Sequence, residues 1–373
     1  MPKVKLNDVA VECKETIKGE ASLPVVGLEH LIPGEVCLTQ WSDDSDNTFT
    51  KRFRKGQVLF SRRRAYLKKA AVAPFDGICS GDITVIAARP EVLEPELLPF
   101  IIQNDALFDY AVGHSAGSLS PRVKWEHLKN YEFELPDKSK QSRLARLLWA
   151  VEDARKAYQT LIQRSEELVK SQFIERIGKG SYKTVPAGTV MYNMRNGVSP
   201  SKNGTYREKV LTLSAVTQGE FDASAWKDGS FDDCPPPEKR ITSTDFYMCR
   251  GNGNKTLVGR GVIAPEDRPD LVFPDTVIAA TIDTDRIMIP FLFYAWQQDT
   301  VRRQIEIAAR TTNGTYKINQ AIISGINLIL PPVEAQKDFI AFASQLDKSK
   351  HSAQKALEDL QATQKALIRK YLG

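Results

Sequence analysis

The sequence predicts an α+β protein: two mixed α/β domains in pseudo-twofold repeat, each closed by a long helix, with the two helices pairing as a coiled coil. Three observations carry that reading. The chain repeats itself at an offset of 195 residues, each repeat closes on a helical stretch of about 40 residues free of internal Pro and Gly, and apolar residues in those stretches recur at about 3.5-residue spacing. The expected boundaries are a first domain at 1–137, a helix at 138–179, a second domain at 180–332 and a closing helix at 333–373.

At 373 residues the chain exceeds one ordinary hydrophobic core, which favours two domains. With 42% apolar and 26% charged residues, its composition is that of a globular protein and not of a disordered or fibrous one. The opening "MPKVKLNDVAVEC" lacks an apolar core of signal-peptide length, and no stretch reaches the roughly 18 uncharged apolar residues of a membrane span, so a cytoplasmic location without a membrane partner is expected. Cys13, Cys37, Cys79, Cys234 and Cys249 are scattered and odd in number, without the close pairs of a zinc site, and are expected to be free thiols. A net charge of +5 and a pI near 8.8 lean toward an anionic partner, but only local clustering can identify one.

Such a cluster lies in the first domain. "KRFRKGQVLFSRRRAYLKK", residues 51–69, holds nine cations (Lys51, Arg52, Arg54, Lys55, Arg62, Arg63, Arg64, Lys68 and Lys69) and no Asp or Glu. Residues 57–60 have the pattern of a buried strand, and 61–64 of the loop leaving it. A solvated surface is the ordinary reading of a charge run.

The repeat is most legible at the end of each domain. "YEFELPDKSKQSRLARLL", from Tyr131, and "INLILPPVEAQKDFIAFA", from Ile326, share a strand-like run, a Leu-Pro pair, and then Gln141 or Gln336 opening a helical pattern. Upstream, "AGSLSPRVKWEHL" aligns with "RTTNGTYKINQAI", setting Ser120 against Thr315 and Arg122 against Lys317; "VVGLEHLIPGEV" from Val25 aligns with "TLSAVTQGEF" from Thr212.

The first long helix is predicted from about Ser139 to Ile177, with Leu144, Leu147, Leu148, Val151, Ala154, Tyr158, Leu161, Ile162, Leu168, Val169 and Phe173 as its apolar residues. The second runs from about Val333 to Leu372 through Phe339, Ala343, Leu346, Ala353, Leu357, Leu360 and Leu367. A single apolar stripe would ordinarily lie on its own domain. Two of equal length, each ending a repeat, suit mutual pairing as rods of roughly 60 Å.

At this point the sequence resembles, over essentially its whole length, the specificity subunit of type I restriction-modification systems. The residues that carry the resemblance are "GSLSPRVKWEHLKNYEFELP" with the long helix after it, and the same succession ending in "TTNGTYKINQAIISGINLILP" and a terminal helix. The resemblance implies two target-recognition domains, each reading one half of a bipartite double-stranded DNA target. It also implies that the two helices form an antiparallel coiled coil that joins and separates those domains and docks two methyltransferase (modification) subunits, with a restriction or motor subunit left open. S-adenosylmethionine would then sit on the methyltransferase subunits, and this chain would bind no cofactor.

In that setting the cation cluster has a partner, since a duplex presents one charge per ~1.7 Å of axis. Arginine can clamp a phosphate or pair with guanine O6 and N7, so Arg62, Arg63 and Arg64 suit either task. The second domain offers "CRGNGNKTLVGRG": Arg250 and Lys255 supply charge, Asn252 and Asn254 can pair with adenine, and the glycines permit close backbone approach. A plain Asn-Gly surface turn is the competing reading. Neither nucleotide-loop spacing, G-x-G-x-x-G or G-x-x-x-x-G-K-[ST], is present. Arg122, Lys124, Thr311, Thr312, Asn313, Thr315 and Lys317 precede the last strand of each domain and suit backbone positioning more than base reading.

No catalytic constellation stands out. The Pro-Pro-aromatic signatures of adenine methyltransferases are missing, His30, His114, His127 and His351 lack metal-ligand spacing, and Glu12-Cys13-Lys14 has no suitably spaced upstream Asp to complete a nuclease motif. The expectation is a noncatalytic recognition subunit, with no metal. A DNA-cleaving enzyme with an unrecognised site and a noncatalytic helical scaffold remain as alternatives.

Overall fold

A computed structural model describes residues 2–17, 23–43, 48–312 and 314–373. The chain forms two compact units, Met1–Ile162 with Ser352–Gly373, and Gln163–His351, so the division falls inside both long helices.

In the first unit β1 (Lys3–Lys5), α1 (Leu6–Val9), β2 (Ala10–Cys13), β3 (Val25–Val26) and β4 (Lys51–Phe53) lead to β5 (Val58–Ser61), β6 (Ala70–Val72), β7 (Gly77–Cys79) and β8 (Ile83–Ala88). Helices α2 (Leu98–Ile102), α3 (Asp105–Gly113) and α4 (Trp125–Leu128) follow, then β9 (Glu132–Glu134) and α5 (Lys138–Phe173). Strands order as β2-β8-β5-β6 in an antiparallel sheet and as β3-β7-β4 in a mixed one, while β1 pairs with β9.

The second unit opens with β10 (Lys183–Pro186), β11 (Met191–Asn196), β12 (Tyr206–Leu211), α6 (Ser214–Thr217), β13 (Trp226–Phe231) and β14 (Arg240–Ile241). Next come β15 (Asp245–Cys249), β16 (Gly251–Asn252), β17 (Gly261–Ile263), β18 (Arg268–Val272) and β19 (Val277–Ile282). Helices α7 (Ile289–Trp296) and α8 (Asp299–Ala308) precede β20 (Arg310–Thr312), β21 (Thr315–Lys317), α9 (Gln320–Ser324), β22 (Asn327–Leu330) and α10 (Val333–Leu372). Its antiparallel sheet, β11-β19-β15-β17, repeats the first unit's plan; β12-β18-β14 repeats β3-β7-β4, including the one parallel pair, and β13 is added at the edge.

Both central strands are buried on two faces, which explains their unbroken apolar runs. Val58 and Phe60 point into one core of the first unit and Leu59 into the other; Phe246 and Met248, against Tyr247 and Cys249, do the same in the second.

The 195-residue repeat extends to individual hydrogen bonds. Gln141 is buried; its Nε2 donates to the carbonyls of Pro136 (3.0 Å) and Val92 (3.1 Å), and its Oε1 accepts from the Glu94 amide (2.7 Å). Gln336 is fully buried, with Nε2 donating to Pro331 (2.9 Å) and Arg286 (3.0 Å) and Oε1 accepting from the Met288 amide (2.8 Å). Each glutamine ties the first turn of a long helix to the segment entering α2 or α7. A second tie starts from paired glycine turns, Gly34 and Gly219, both with positive φ. The following Glu35 reaches Arg155 at 3.3 Å in the first unit, and Glu220 reaches Lys350 at 3.4 Å in the second.

The long helices pair within each unit. In the first, Gln364 Nε2 donates to Glu152 at 3.4 Å, and Leu144, Ala145 and Leu148 share a core with Ile368 and Leu372. In the second, Glu166 meets Lys350 at 2.9 Å and the Phe173 and Phe339 rings lie 5.1 Å apart, an antiparallel sense. Two expectations are corrected. The α-helix ends at Phe173 and passes into a π-helical turn, Ile174–Gly178, which buries Ile177 and leaves Ile174 exposed. The apolar stripe is also narrower: Leu147, Leu161 and Leu168 are exposed, because a seven-residue series drifts about 20° per heptad around a straight helix. Charged Glu152 and Arg155 occupy buried places in the stripe's centre.

Replacing Gln141 by Leu keeps the volume and strands one amide and two carbonyls. It is expected to lower unfolding free energy by about 2–3 kcal/mol in denaturant titrations, whereas Gln163→Leu at an exposed site stays within about 0.5 kcal/mol.

Candidate nucleic-acid interface

The fold divides the nine-cation run into separate groups. Around β4 it supplies the carboxylates that the local sequence lacks. Lys51 Nζ donates to the Ile83 carbonyl at 2.7 Å and lies 3.9 Å from Glu12, and burial pushes its pKa down. Arg52 meets Glu15 at 3.3 Å and Asp76 at 3.5 Å, while Arg54 grips Glu15 through Nε at 3.1 Å and Nη2 at 3.0 Å. The Arg54 hydrogen bond holds the Glu15 carboxyl below its usual range. Lys55 donates its backbone amide to Asp76 at 2.9 Å. Further on, Lys68, in the left-handed region at φ 52°, pairs with Asp105 at 2.6 Å, and Lys69 Nζ donates to the Leu28 carbonyl at 2.8 Å.

What remains is a compact group at the end of β5. Arg62, Arg63 and Arg122 converge on Asp82. Arg122 holds the carboxylate with Nε on Oδ1 at 2.8 Å and Nη2 on Oδ2 at 3.1 Å; Arg62 Nε reaches Oδ1 at 3.4 Å and Arg63 Nη1 lies 3.9 Å from Oδ2. Arg63 also donates to Ser120 Oγ. A bridge between Arg63 and Arg122 sets the 116–122 turn against the strand end, and Val123 N donates to the Arg62 carbonyl at 2.9 Å. Arg64 adopts φ 55°, its amide donates to Pro121 O at 2.8 Å, and its exposed side chain has no protein partner among the described residues; Lys124 is likewise exposed. Three guanidiniums thus share one carboxylate, with Arg64 beside them.

The second unit builds the same place from different residues. Ile318 N donates to the Arg250 carbonyl at 2.9 Å, as Val123 does to Arg62, so Arg250 is the positional equivalent of Arg62. Its Nη1 donates to the Asp275 carbonyl at 3.1 Å and lies 3.8 Å from the Asp275 carboxylate. Gly251 and Asn252 pair as β16 with Lys317 and Tyr316 of β21. The close approach at Gly251 is to the protein's own strand, since a Cβ there would meet Lys317 Cγ at 3.2 Å; Gly253 is open. Asn252 Oδ1 accepts from the Asn254 amide at 2.8 Å and Asn254 Oδ1 from the Thr256 amide at 3.0 Å, so one lone pair of each oxygen already serves the turn. Lys255 Nζ sits 5.7 Å from the Tyr316 ring centroid. Thr311 and Lys317 are exposed on the β20–β21 hairpin, Thr312 pairs with Thr315 through the backbone, and Asn313 lies outside the described residues.

Sequence reasoning missed the residues that hold these loops. Asp82 and Asp275 lie beyond the charge runs they serve, and Arg302 of α8 supports the 254–258 turn by donating to the carbonyls of Thr256 (3.0 Å) and Val258 (2.9 Å). No local motif marks them, because each acts across more than 19 residues of sequence. Among the described residues no group of His, Cys, Asp and Glu could hold a metal ion, and no helix is long and apolar enough to cross a membrane.

Hydrogen bonds from Arg122 first, and then its charge and Arg62, hold the Asp82 pKa below its usual 3.8. A carboxylate whose folded pKa is depressed stabilises the fold above its unfolded pKa and loses that effect as pH falls through the folded value. The stability difference between the natural chain and Asp82→Asn is therefore expected to stay constant from about pH 8 to 5 and to shrink below about pH 4, read by denaturation at each pH.

No family model matches the chain. Over 140 residues it is 26% identical to the type I restriction enzyme StySPI specificity subunit of Salmonella potsdam, a match covering 36% of this chain and only 30% of that protein's length. Two solved structures share the fold throughout. One, from work on complex assembly and conformational transition of the type I R-M system, superposes with a TM-score of 0.56 at 17% identity, covering 99% of this chain and 97% of that one. The other, the type I restriction-modification system S subunit from M. genitalium, gives 0.57 at 13% identity, covering 100% and 96%. In fold over its whole length the chain is similar to these two type I restriction-modification structures, and over 140 residues its sequence is similar to a type I restriction enzyme specificity subunit.

Proposed function

We propose that this chain is the noncatalytic DNA-recognition subunit of a type I restriction-modification complex. In this reading the domains at 1–137 and 180–332 each read one half of a bipartite duplex target. The helices at 138–179 and 333–373 pair as an antiparallel coiled coil, set the gap between half-sites, and dock two methyltransferase subunits that carry S-adenosylmethionine. The observation that supports it most is the rebuilding of one cation-bearing loop in both units, with Arg62 and Arg250 at equivalent backbone positions. A plain helical scaffold does not account for that duplication.

Replacing Arg62, Arg63 and Arg64 by Ala should weaken duplex binding. Each residue that touches only phosphate lowers the salt slope by about one unit, and a base reader instead relaxes one half-site by about 1–3 kcal/mol. Wild-type binding by the folded triple variant at every salt concentration would leave this loop as a solvated surface.

Helix length should be separable from sequence choice. Inserting four residues after Gln163, matched by four after His351, adds ~6 Å and close to one full turn to each helix. With stacked base pairs rising ~3.4 Å, the gap should grow by one or two base pairs while both half-sites stay the same. Methylation mapping in cells that express the variant with its partner subunits reads the outcome; an unchanged gap would show that the helices do not set it.

A further inference from the structure

We infer that Asp82 is the positioning residue of the first unit's arginine loop: it holds the Arg62 and Arg122 guanidiniums as a fixed fork whose free edges read a guanine in one half-site, and it lowers general DNA affinity in doing so. The inference rests on the recognition reading above and deepens it.

The geometry separates the held edge of each guanidinium from the free one. Arg122 gives Nε and one Nη2 hydrogen to the carboxylate, and Arg62 gives only Nε. Arg122 Nη1 and both Nη atoms of Arg62 have no protein acceptor among the described residues, and the side chains remain 46% and 38% exposed while Asp82 is only 18% exposed. The carboxylate is the more shielded partner, and the unused donors stay without protein acceptors on the more exposed side chains. An arginine whose plane is already pinned loses little side-chain freedom when it meets paired acceptors such as guanine O6 and N7.

The sign of the charge separates this role from phosphate clamping. A loop built only to neutralise phosphates gains nothing from a carboxylate at its centre, since that carboxylate cancels one cation and repels the backbone. A loop built to discriminate gains orientation from it. In the second unit the acid comes one residue earlier in the equivalent turn, as Asp275; it is 46% exposed and holds a single arginine at 3.8 Å. The dependence on a pinning acid is therefore stronger in the first unit.

The test uses the full chain in complex with its methyltransferase subunits and a library of duplexes randomised at both half-sites. Asp82→Asn should reduce base discrimination about tenfold at one half-site and leave the other unchanged. The same variant should bind random-sequence duplex more tightly, with a salt slope steeper by about one unit. A purely structural ion pair predicts the opposite, a parallel loss of affinity at every sequence. Retained discrimination, or a parallel loss of affinity, overturns the inference. If Asp82→Asn does not fold, Arg122→Lys decides, because it keeps the charge and removes the two-point grip: lost discrimination at an unchanged salt slope supports the inference, and retained discrimination overturns it. Absence of salt-dependent duplex binding by the natural complex would instead remove the recognition reading itself.

Discussion

A buried carboxamide at the first turn of each long helix is the interaction on which the rest of the architecture depends. Gln141 and Gln336 each satisfy one amide and two carbonyls that a helix start and an incoming loop would otherwise leave unpaired in the core. Only a neutral side chain with both donors and acceptors fills that place; Glu or Lys would bury a charge, and Leu would strand all three groups. Fourteen residues along each helix, Arg155 and Lys350 take the second tie from Glu35 and Glu220. Each unit is thus pinned to its own helical segment at two points about 21 Å apart along the axis.

The helical seam is specified by charge as well as by apolar spacing. Glu152 is fully buried and receives Arg155 through two hydrogen bonds of 2.9 and 2.8 Å, with Gln364 on the same carboxylate. Sliding the partner helix by a turn would leave that carboxylate without Gln364, a penalty an all-leucine seam does not impose. The Arg155 pKa is raised, chiefly by its hydrogen bond to Glu152.

The two candidate interface loops share a scaffold and differ in chemistry. In the first unit, arginines crowd one shielded carboxylate; in the second, one arginine stands beside a glycine-asparagine turn closed by its own hydrogen bonds. Equivalent backbone positions thus carry different side chains on one fold.

The sequence by itself determined the duplication, the long helices and the strand before the first loop. These follow from periodicity, from the Pro and Gly free runs and from the Leu-Pro-Gln spacing, all local in the chain; the strand expected at 57–60 forms at Val58–Ser61. Tertiary structure alone decided which cations remain available. Lys51, Arg52 and Arg54 look like part of one positive patch until Glu12, Glu15 and Asp76 arrive from other strands. It also decided that Leu147, Leu161 and Leu168 lie outside the seam, since a small angular drift per heptad cannot be seen without the partner helix. Charge pairing and helix facing are set by contacts between residues far apart in sequence, and a linear pattern holds no record of which distant group will stand opposite.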